Sequence, residues 1–449
     1  MYIFTSEFRR KTTNILRVML PIFITQVAIM GMNFFDTVMS GQAGTNDLAG
    51  VAIGANIWMP VFTGINGLLL ALTPLVAHLR GAGKQEEIGK VVFNGLILAL
   101  GVGVLVITGG ILGLDRILST MTLTAPVRSI AERYLAALAF GIIPLFLTNI
   151  LRAFVDTMGH TQLTMRLFVL TLPVNAIMNY IFIFGKLGFP ALGGVGAGVG
   201  SAVTYTLLFL SYVVLVKKLP SFKNFTIFHW YGIKWTMVKE HLSIGIPMGT
   251  SIFCETSIFG VVALFISRFG TEAVAGHQAA MNFTSLLYML PLSFSLALTI
   301  LVGVEVGAKN WTEAQSYAQT GRVANLLLAT CFAIFLLTCR GYVARLYSSD
   351  PHILELISHF LFYGVAFQFC DSTAAPIQGI LRGYKDVKST FYCSLVAYWV
   401  LSLPMGLALD RIFHQGPFGY WQGLIVGIFF SALFLSLRLR YIERKHREV

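Results

Sequence analysis

Long apolar segments recur along the whole chain, and they constrain its fold more than any other feature. Only 12% of the 449 residues are charged and 56% are hydrophobic, whereas a soluble domain carries about 25% charged residues. Each segment is long enough to cross a hydrocarbon core of about 30 Å as a helix. Twelve such spans are predicted, at 14–38, 48–78, 91–114, 131–155, 163–185, 194–216, 241–268, 274–306, 318–342, 353–381, 388–411 and 420–437. The sequence therefore predicts an all-α polytopic membrane protein with twelve transmembrane helices.

The distribution of basic residues predicts the topology of these spans. A net charge of +12 would suit a polyanion-binding protein, but most of the 32 Lys and Arg lie at the termini and in every second loop. The positive-inside rule assigns those loops to the cytoplasm. We therefore expect a multi-pass protein of the cell inner (plasma) membrane, with both termini cytoplasmic and no nucleic-acid partner. The first residues are too polar for a cleavable signal peptide.

The two halves of the chain repeat each other. At a shift of 226 residues, GTNDLAG (44–50) aligns with GTEAVAG (270–276), and LALTPLV (70–76) aligns with LALTILV (296–302). Chance apolar similarity would not keep one register through both loops and spans. The repeat therefore predicts two lobes of like structure.

The number of spans in each half predicts how the lobes are related. Each half holds six spans, an even number, so both halves enter the membrane from the same side. Two parallel six-helix bundles related by pseudo-twofold symmetry about the membrane normal are expected, with alternating access through a cleft between them. The expected domains are an N-lobe (1–216), a cytoplasmic linker (217–240) and a C-lobe (241–449).

Three carboxylates interrupt the apolar spans: Glu255, Asp371 and Asp36. A charged group at the centre of a span costs roughly 2.5 to 3.5 kcal/mol, and no Lys or Arg is expected at mid-span to neutralise these acids. An unpaired buried carboxylate either holds a proton or binds a cation. At the 226-residue shift Glu255 aligns with Ile29 and Asp36 aligns with Val262. Acids that break a structural repeat in this way are better explained by ion coupling than by folding.

Polar side chains follow the helical period near these acids. Gln368 and Gln378 share a face with Asp371. The eighth predicted span carries a further polar face, formed by His277, Gln278, Asn282 and Ser285 beside Tyr288. Lipid offers such groups no partner, so these faces are expected to point into the protein or a wet cavity.

Other motifs favour structural roles. GGVGAGVGS (193–201) resembles a phosphate-binding loop, but it opens a span without a preceding strand, so close helix packing is expected. LRxxxD occurs at 151–156 and again at 381–386, and we interpret it as a local Arg–Asp pair that holds a cytoplasmic turn in each half. The five Cys lie in apolar spans without metal-ligand spacing. No Walker A loop is present, so ATP is not expected to be the direct energy source.

The order of these motifs resembles the multidrug and toxic compound extrusion (MATE) family, and within it the NorM-like branch. The resemblance spans essentially the whole chain. It depends on FFDTVMSG, GTNDLAG, PLVAHLRGAGK, CETSIFG, GHQAAMNFTSL and CDSTAAPIQGILRGYKD. It implies an antiporter that exports cationic amphipathic drugs and dyes, and so confers antibiotic resistance, in exchange for inward Na+ or H+. No cofactor besides the coupling ion is implied, and a monomer is expected because one chain would enclose a complete cleft.

The resemblance also implies roles for individual residues. Glu255 and Asp371 match the C-lobe acids of the NorM-like cation and substrate site, and we expect them to bind Na+. Asp36 matches the N-lobe acid that binds a proton or Na+ in some members. The residues expected to line the substrate site are Tyr288, Asn282, Phe259, Gln278, Phe367, Asn175 and Asn179.

Two positions depart from the family pattern. Asn179 stands where DinF-like and archaeal members have a second Asp, which removes a charge from the N-lobe site and favours coupling at the C-lobe acids. Phe367 stands where some NorM-like members have Tyr, so a bound cation has one oxygen ligand fewer.

The residues leave other functions open. Proton coupling instead of sodium coupling is the first alternative, although we favour Na+. A lipid-linked oligosaccharide flippase of the related superfamily is the second, but it would be expected to line its cavity with Arg and Lys for a pyrophosphate. An integral-membrane enzyme would need paired acids or a His–acid constellation, whereas DSTAA (371–375) carries a single acid. We therefore expect a transporter and not an enzyme.

Overall fold

The computed structural model describes residues 6–446 of the chain. This part contains no strand, and twelve of its helices are long and apolar enough to cross a membrane. The helices are α1 (Ser6–Ala43), α2 (Thr45–Gly81), α3 (Gln85–Ser119), α4 (Ala125–Thr157), α5 (Thr161–Phe184), α6 (Gly194–Lys218), α7 (Trp235–Phe269), α8 (Thr271–Gly307), α9 (Trp311–Arg345), α10 (Pro351–Gly383), α11 (Val387–Arg411) and α12 (Pro417–Lys445). The all-α polytopic fold is confirmed.

The helices are longer than the apolar segments that predict them. Each predicted span falls inside one helix to within one residue, but α3 has 35 residues and α8 has 37. At 1.5 Å per residue these helices exceed 50 Å, well beyond a hydrocarbon core of about 30 Å. Hydropathy marks only the part of a helix that lies in lipid, because its polar ends stay helical by their own hydrogen bonds.

The chain folds into two compact units. One consists of Pro21–Gly249, and the other combines the start of α1, up to Leu20, with the chain from Thr250 onward. The division thus falls inside the helices α1 and α7, and the segment 217–240 belongs entirely to the first unit. The boundaries expected at 216 and 241 therefore stay a prediction.

The glycine-rich start of α6 packs closely against its own unit. A Cβ on Gly198 would lie 2.6 Å from the carbonyl oxygen of Tyr134 on α4, and a Cβ on Gly196 would lie 2.5 Å from that of Phe182 on α5. Real Cβ atoms do not approach so closely. The packing interpretation of GGVGAGVGS is therefore confirmed.

An ion-pair cluster holds the first turns of α1 in the second unit. The Lys11 side chain is fully buried, and its Nζ lies 2.9 Å from Glu313 of α9 and 3.1 Å from Glu7. Ser316 donates a 2.8 Å hydrogen bond to Glu7, and Lys11 also lies over the ring of Tyr317. A buried ammonium needs such partners, so the cluster explains why the N-terminal part of α1 belongs to this unit.

Helix α10 is the central helix of the second unit and packs against α8, α9 and α12. Every side chain in its segment 374–383 is buried, so the polar groups there must find partners inside the protein. Pro376 removes the backbone donor that would bind the Ser372 carbonyl four residues earlier. The Asn325 side chain of α9 donates to that carbonyl instead, which holds the backbone next to Asp371 in place.

Helix α11 widens in its middle. Residues Leu395–Ser402 form a π-helix, and Pro404 follows. Proline leaves earlier carbonyls without a donor, and a π turn is one way in which a membrane helix adjusts to this. Ser394 and Tyr398 are buried next to and within the widened segment, and both take part in the site described below.

Because α10 lies in close contact with α8, alanine is predicted to be destabilising at one glycine of α10 and tolerated at a glycine of α7. We expect Gly379→Ala to lower the free energy of unfolding by about 1 to 3 kcal/mol, because its Cβ would lie 2.1 Å from the carbonyl oxygen of Ser295. Gly260→Ala on α7 is the matched control: nothing lies within 4 Å of its Cβ, and alanine favours a helix by roughly 0.5 to 1 kcal/mol. Thermal unfolding of the purified variants tests this, and equal midpoints would contradict the packing.

Candidate functional site

Three helices of the second unit converge on Glu255. Its Oε1 atom accepts a 2.6 Å hydrogen bond from Nε2 of Gln378 on α10 and a 2.7 Å bond from Oγ of Ser394 on α11. Glu255 itself is half-buried on α7. The carboxylate is therefore held in a defined position by neutral donors from two other helices, which is the preorganisation that a binding site needs.

Additional hydrogen bonds between α7 and α11 fix this arrangement. Ser251, one turn before Glu255, donates a 3.0 Å bond to Oγ of Ser394. The indole of Trp399 donates a 3.3 Å bond to the carbonyl of Cys254. Both contacts tie α7 to α11 in the turn that precedes the acid, so a displacement of α11 would also move Ser394, a donor to Glu255.

Asp371 has no such partners. Its side chain is 8% exposed, and no hydrogen-bond donor within residues 6–446 reaches its carboxylate. It interacts electrostatically with the carboxylate of Glu255, and the hydroxyls of Tyr288 and Tyr398 lie in the field of both acids. A buried carboxylate beside a second one is unfavourable unless a proton or a cation compensates it. The structure thus brings together Glu255, Asp371 and Tyr288, as the sequence predicts.

Aromatic side chains lie close to Asp371. The rings of Phe259 and Phe367 meet edge to face at 5.8 Å, and Phe367 also contacts Trp421 at 6.3 Å. Phe367 is 5% exposed, so its ring is tightly packed and has little freedom to move. Apolar rings beside buried carboxylates suit a ligand that combines a cationic centre with an apolar body.

Two of the predicted lining residues lie elsewhere on α8. Asn282 is exposed and its Oδ1 accepts a 3.0 Å bond from the hydroxyl of Tyr347. Gln278 is also exposed and lies one turn further from Tyr288. The neighbouring His277 is buried and accepts a 3.0 Å bond from the indole of Trp421, so it is a packed core histidine. Among the predicted lining residues on α8, Tyr288 is the one that lies near the acids.

The first unit holds a separate acid, Asp36, among neutral donors. Its Oδ1 accepts hydrogen bonds from Nδ2 of Asn179 at 2.5 Å and of Asn175 at 3.3 Å, and its Oδ2 accepts one from Ser201 at 3.0 Å. Asn175 and Asn179 are almost fully buried, and a Cβ on Gly200 would lie 2.4 Å from Oδ1 of Asn179. Asn175 and Asn179, which are expected from the sequence to line the substrate site, are therefore donors to Asp36, and Ser201 is a third donor.

The donors of Asp36 differ in their expected contribution. Asn179→Leu would remove its shortest hydrogen bond and leave a buried acceptor short of a donor, so we expect a loss of about 1 to 3 kcal/mol in unfolding free energy. Thr171→Val on the same helix is the control, because the Thr171 hydroxyl bonds only to the carbonyl of Leu167. Thermal unfolding of both variants is the measurement, and equal losses would show that Asn179 does not support Asp36.

No Lys or Arg was expected at mid-span, but a basic side chain from the last turn of α10 lies near the acids. Arg382 lies on α10, is 4% exposed, and donates a 3.4 Å hydrogen bond to Oε1 of Gln378, the residue that donates to Glu255. It also interacts electrostatically with Glu255. Its position at the end of a predicted span suggested a solvated loop residue, but α10 is buried on all faces at this level.

Four residues around Glu255 were not predicted as site residues. Ser251, Ser394, Tyr398 and Trp399 are single polar or aromatic groups in apolar helices, and nothing in their spacing marks them. The signal available was the pairing of α7 with α11, which requires the tertiary structure. Within residues 6–446, no cluster of three or more His, Cys, Asp and Glu side chains is arranged to hold a metal ion.

Comparison with protein families identifies a match in both halves of the chain. The MatE family model matches residues 21–181 and again residues 247–407. These segments are related by the same shift of 226 residues as the internal repeat. The repeat is therefore a property of the family model and does not arise from apolar composition.

Curated relatives match the chain over nearly its full length. It is 48% identical over 442 residues to the probable multidrug resistance protein NorM of Halalkalibacterium halodurans, covering 98% of this chain and 96% of that protein. It is 45% identical over 450 residues to the probable multidrug resistance protein NorM of Bacillus subtilis, covering 99% and 98%.

Solved structures share the fold at lower sequence identity. The eukaryotic MATE transporter AtDTX14 superposes with a TM-score of 0.86 at 21% identity, covering 99% of each chain. The bent form of the Vibrio cholerae MATE transporter VcmN superposes with a TM-score of 0.87 at 18% identity, covering 98% of this chain and 99% of that one.

Proposed function

Because this chain belongs to the MatE family, we propose that it is a secondary active multidrug antiporter. It exports cationic amphipathic drugs and dyes in exchange for inward Na+, or H+, by alternating access. Its partners are these small molecules and the lipid bilayer of the cell inner membrane, in which the chain works as a monomer with both termini in the cytoplasm. The names of the NorM relatives support multidrug transport.

One observation carries the cation preference: the paired acids Glu255 and Asp371. Asp371 is buried without a donor from residues 6–446, and it interacts with the carboxylate of Glu255. A cation between the two acids relieves their repulsion and the cost of burying charge. The aromatic rings of Phe259 and Phe367 offer the apolar body of a drug a surface next to these charges.

Competition for the same negative charge couples the two fluxes. In the outward-open state the acids bind the inflowing cation, and the drug leaves. In the inward-open state the cation departs, and the acids attract the positive charge of the next drug molecule. The coupling is a difference in affinity between the two states, so ATP is not required.

Sodium fits the donor set better than a proton alone. Hard cations prefer oxygen ligands, and Glu255, Asp371, Tyr288 and Tyr398 present carboxylate and hydroxyl oxygens in one region. Asp36 accepts three hydrogen bonds from neutral side chains, so its charge is better compensated than that of Asp371. We therefore place the coupling ion at the acids of the second unit.

The site also favours cation transport over a lipid-linked oligosaccharide flippase. A flippase for a pyrophosphate-linked lipid would require a basic surface, whereas the cluster described here holds two acids and one Arg.

Reconstitution in liposomes tests the proposal. The movement of a fluorescent cationic dye is followed under an imposed Na+ gradient at constant pH and, separately, under a pH gradient without Na+. Movement driven by Na+ supports the sodium antiporter, and movement driven only by the pH gradient replaces it with a proton antiporter. If neither gradient moves the dye, cationic drug export is rejected.

A further inference from the structure

The repeated LRxxxD motif has different partners in the two halves. In the first half Arg152 pairs with Asp156, four residues later, at 3.5 Å, as the sequence predicts. In the second half Asp386 pairs instead with Arg438 of α12 at 2.7 Å. Arg382 is therefore not engaged by the Asp of its own motif, and the expectation of a local pair in both halves is wrong for the second.

The residue opposite the motif explains this difference. In the first half, the neutral side chain of Tyr212 on α6 lies near Asp156, so Arg152 is the cation that neutralises this acid. In the second half α12 supplies a cation of its own, Arg438, to Asp386. With Arg438 paired to Asp386, the charge of that carboxylate is compensated without Arg382, and the Arg382 side chain instead bonds to Gln378 inside the protein.

Arg382 points toward the acids of the proposed cation site. It is 4% exposed, donates a 3.4 Å hydrogen bond to Oε1 of Gln378, and interacts electrostatically with Glu255 and Tyr288. The Gln378 amide is thereby oriented: its oxygen faces Arg382, and its Nε2 donates to Glu255 at 2.6 Å. Arg382 therefore acts on Glu255 both through its charge and through the amide that it orients.

The Nε atom of Arg382 is buried without a hydrogen-bond partner among residues 6–446. A buried guanidinium cannot lose its proton to lower this cost. The positive charge is therefore a permanent part of the site. With Glu255 and Asp371 ionised, the cluster of these three side chains carries one net negative charge.

We propose that Arg382 is a positioning residue that sets the charge of the site, so that it accepts one monovalent cation at a time, whether the coupling ion or a singly charged drug. This inference rests on the proposed cation exporter. Without the guanidinium, the two carboxylates would bind any cation more tightly and release it more slowly, and doubly charged ligands would be favoured. The valence of the exported drugs is therefore determined by Arg382.

The test compares binding of a monocation and a dication to purified full-length protein in detergent. Tetraphenylphosphonium and a bis-quaternary dication with similar apolar groups are the probes. Loss of one opposing charge acts twice on a dication. We therefore expect Arg382→Gln to tighten binding of the monocation about tenfold and of the dication about a hundredfold. Arg382→Lys keeps the charge and is expected to keep the wild-type ratio of the two affinities.

Arg152→Gln is the matched control, because it removes the equivalent Arg of the other half. It is expected to lower stability but to leave the ratio of the two affinities unchanged. In the Glu255→Gln background, Arg382→Gln should tighten monocation binding by about threefold or less, instead of about tenfold. A reduced effect of this kind is expected for two residues that interact with each other.

The outcomes separate this inference from the proposed function. If the wild-type protein binds neither probe, cation export is rejected and the role of Arg382 with it. If the wild type binds the monocation but Arg382→Gln leaves the ratio of affinities unchanged, only the role of Arg382 is rejected. If Arg382→Gln does not fold, the wild type and Arg382→Lys decide: dication binding at least tenfold tighter than monocation binding in either protein overturns the inference.

Discussion

Glu255→Gln is expected to reduce cation-driven dye export at least about a hundredfold while the protein still folds. The relevant pair is the Glu255 carboxylate and the bound cation. Removing one partner from a buried pair of opposite charges typically costs 3 to 5 kcal/mol, and each 1.4 kcal/mol is tenfold in affinity. Glutamine keeps the shape of the side chain, and its oxygen still accepts from Gln378 and Ser394, the two donors of Glu255. Dye export from liposomes under the gradient that drives the wild type is the measurement.

A control variant on α8 shows whether export depends on the carboxylate of Glu255 in particular or is reduced by the loss of any carboxylate. Glu272 is exposed and pairs only with His352 at 2.8 Å. Glu272→Gln should therefore export dye at close to the wild-type rate. Retention of full export by Glu255→Gln, with the control also active, would show that this carboxylate does not couple the fluxes.

Asp371→Asn is expected to abolish stabilisation by Na+. The wild-type protein should gain stability on Na+ addition, by about 2.7 kcal/mol at a concentration 100 times the dissociation constant, because the ion binds the folded site. Asparagine removes the charge that most needs compensation, since no donor within residues 6–446 reaches Asp371. Thermal unfolding midpoints with and without Na+, at constant ionic strength with choline, are compared.

Two further results complete this prediction. In Na+-free buffer Asp371→Asn should unfold at a higher temperature than the wild type, because an uncompensated buried charge has been removed. Asp350→Asn at the start of the same helix is the control: Asp350 caps the helix by accepting from the backbone N–H of His352, and asparagine caps equally well. An Na+-induced increase in Asp371→Asn as large as in the wild type would place the ion elsewhere.

Much of the site could be predicted from the sequence because a charged residue is easily recognised within an apolar span. Glu255, Asp371 and Asp36 stand out against apolar neighbours, and the helical period places Gln378 on the face of Asp371. The contact of Asp36 with Asn175 and Asn179 did not follow from spacing: the family resemblance singled out these two Asn as site residues, and the structure makes both of them donors to Asp36. For the three acids and Gln378 a local pattern was enough.

Other parts of the site depended on which helices pack together. Asn282 shares the predicted face of α8 with Tyr288, but the structure joins it to Tyr347, because a helix face can meet different partners along its length. Arg382 was predicted in a solvated turn, and its burial depends on the helices that surround α10. No periodicity within α10 contains that information.

The sequence by itself determined the helical membrane fold, the internal repeat and the acids that break it. These features depend on hydropathy and spacing along one chain, because lipid forces each span to satisfy its own backbone. Only the tertiary structure decided that Arg438 takes Asp386 and so releases Arg382 toward Glu255. The physical reason is that the interaction between charges depends on their distance in space. Helices α7, α10, α11 and α12 bring these groups together from positions far apart in sequence.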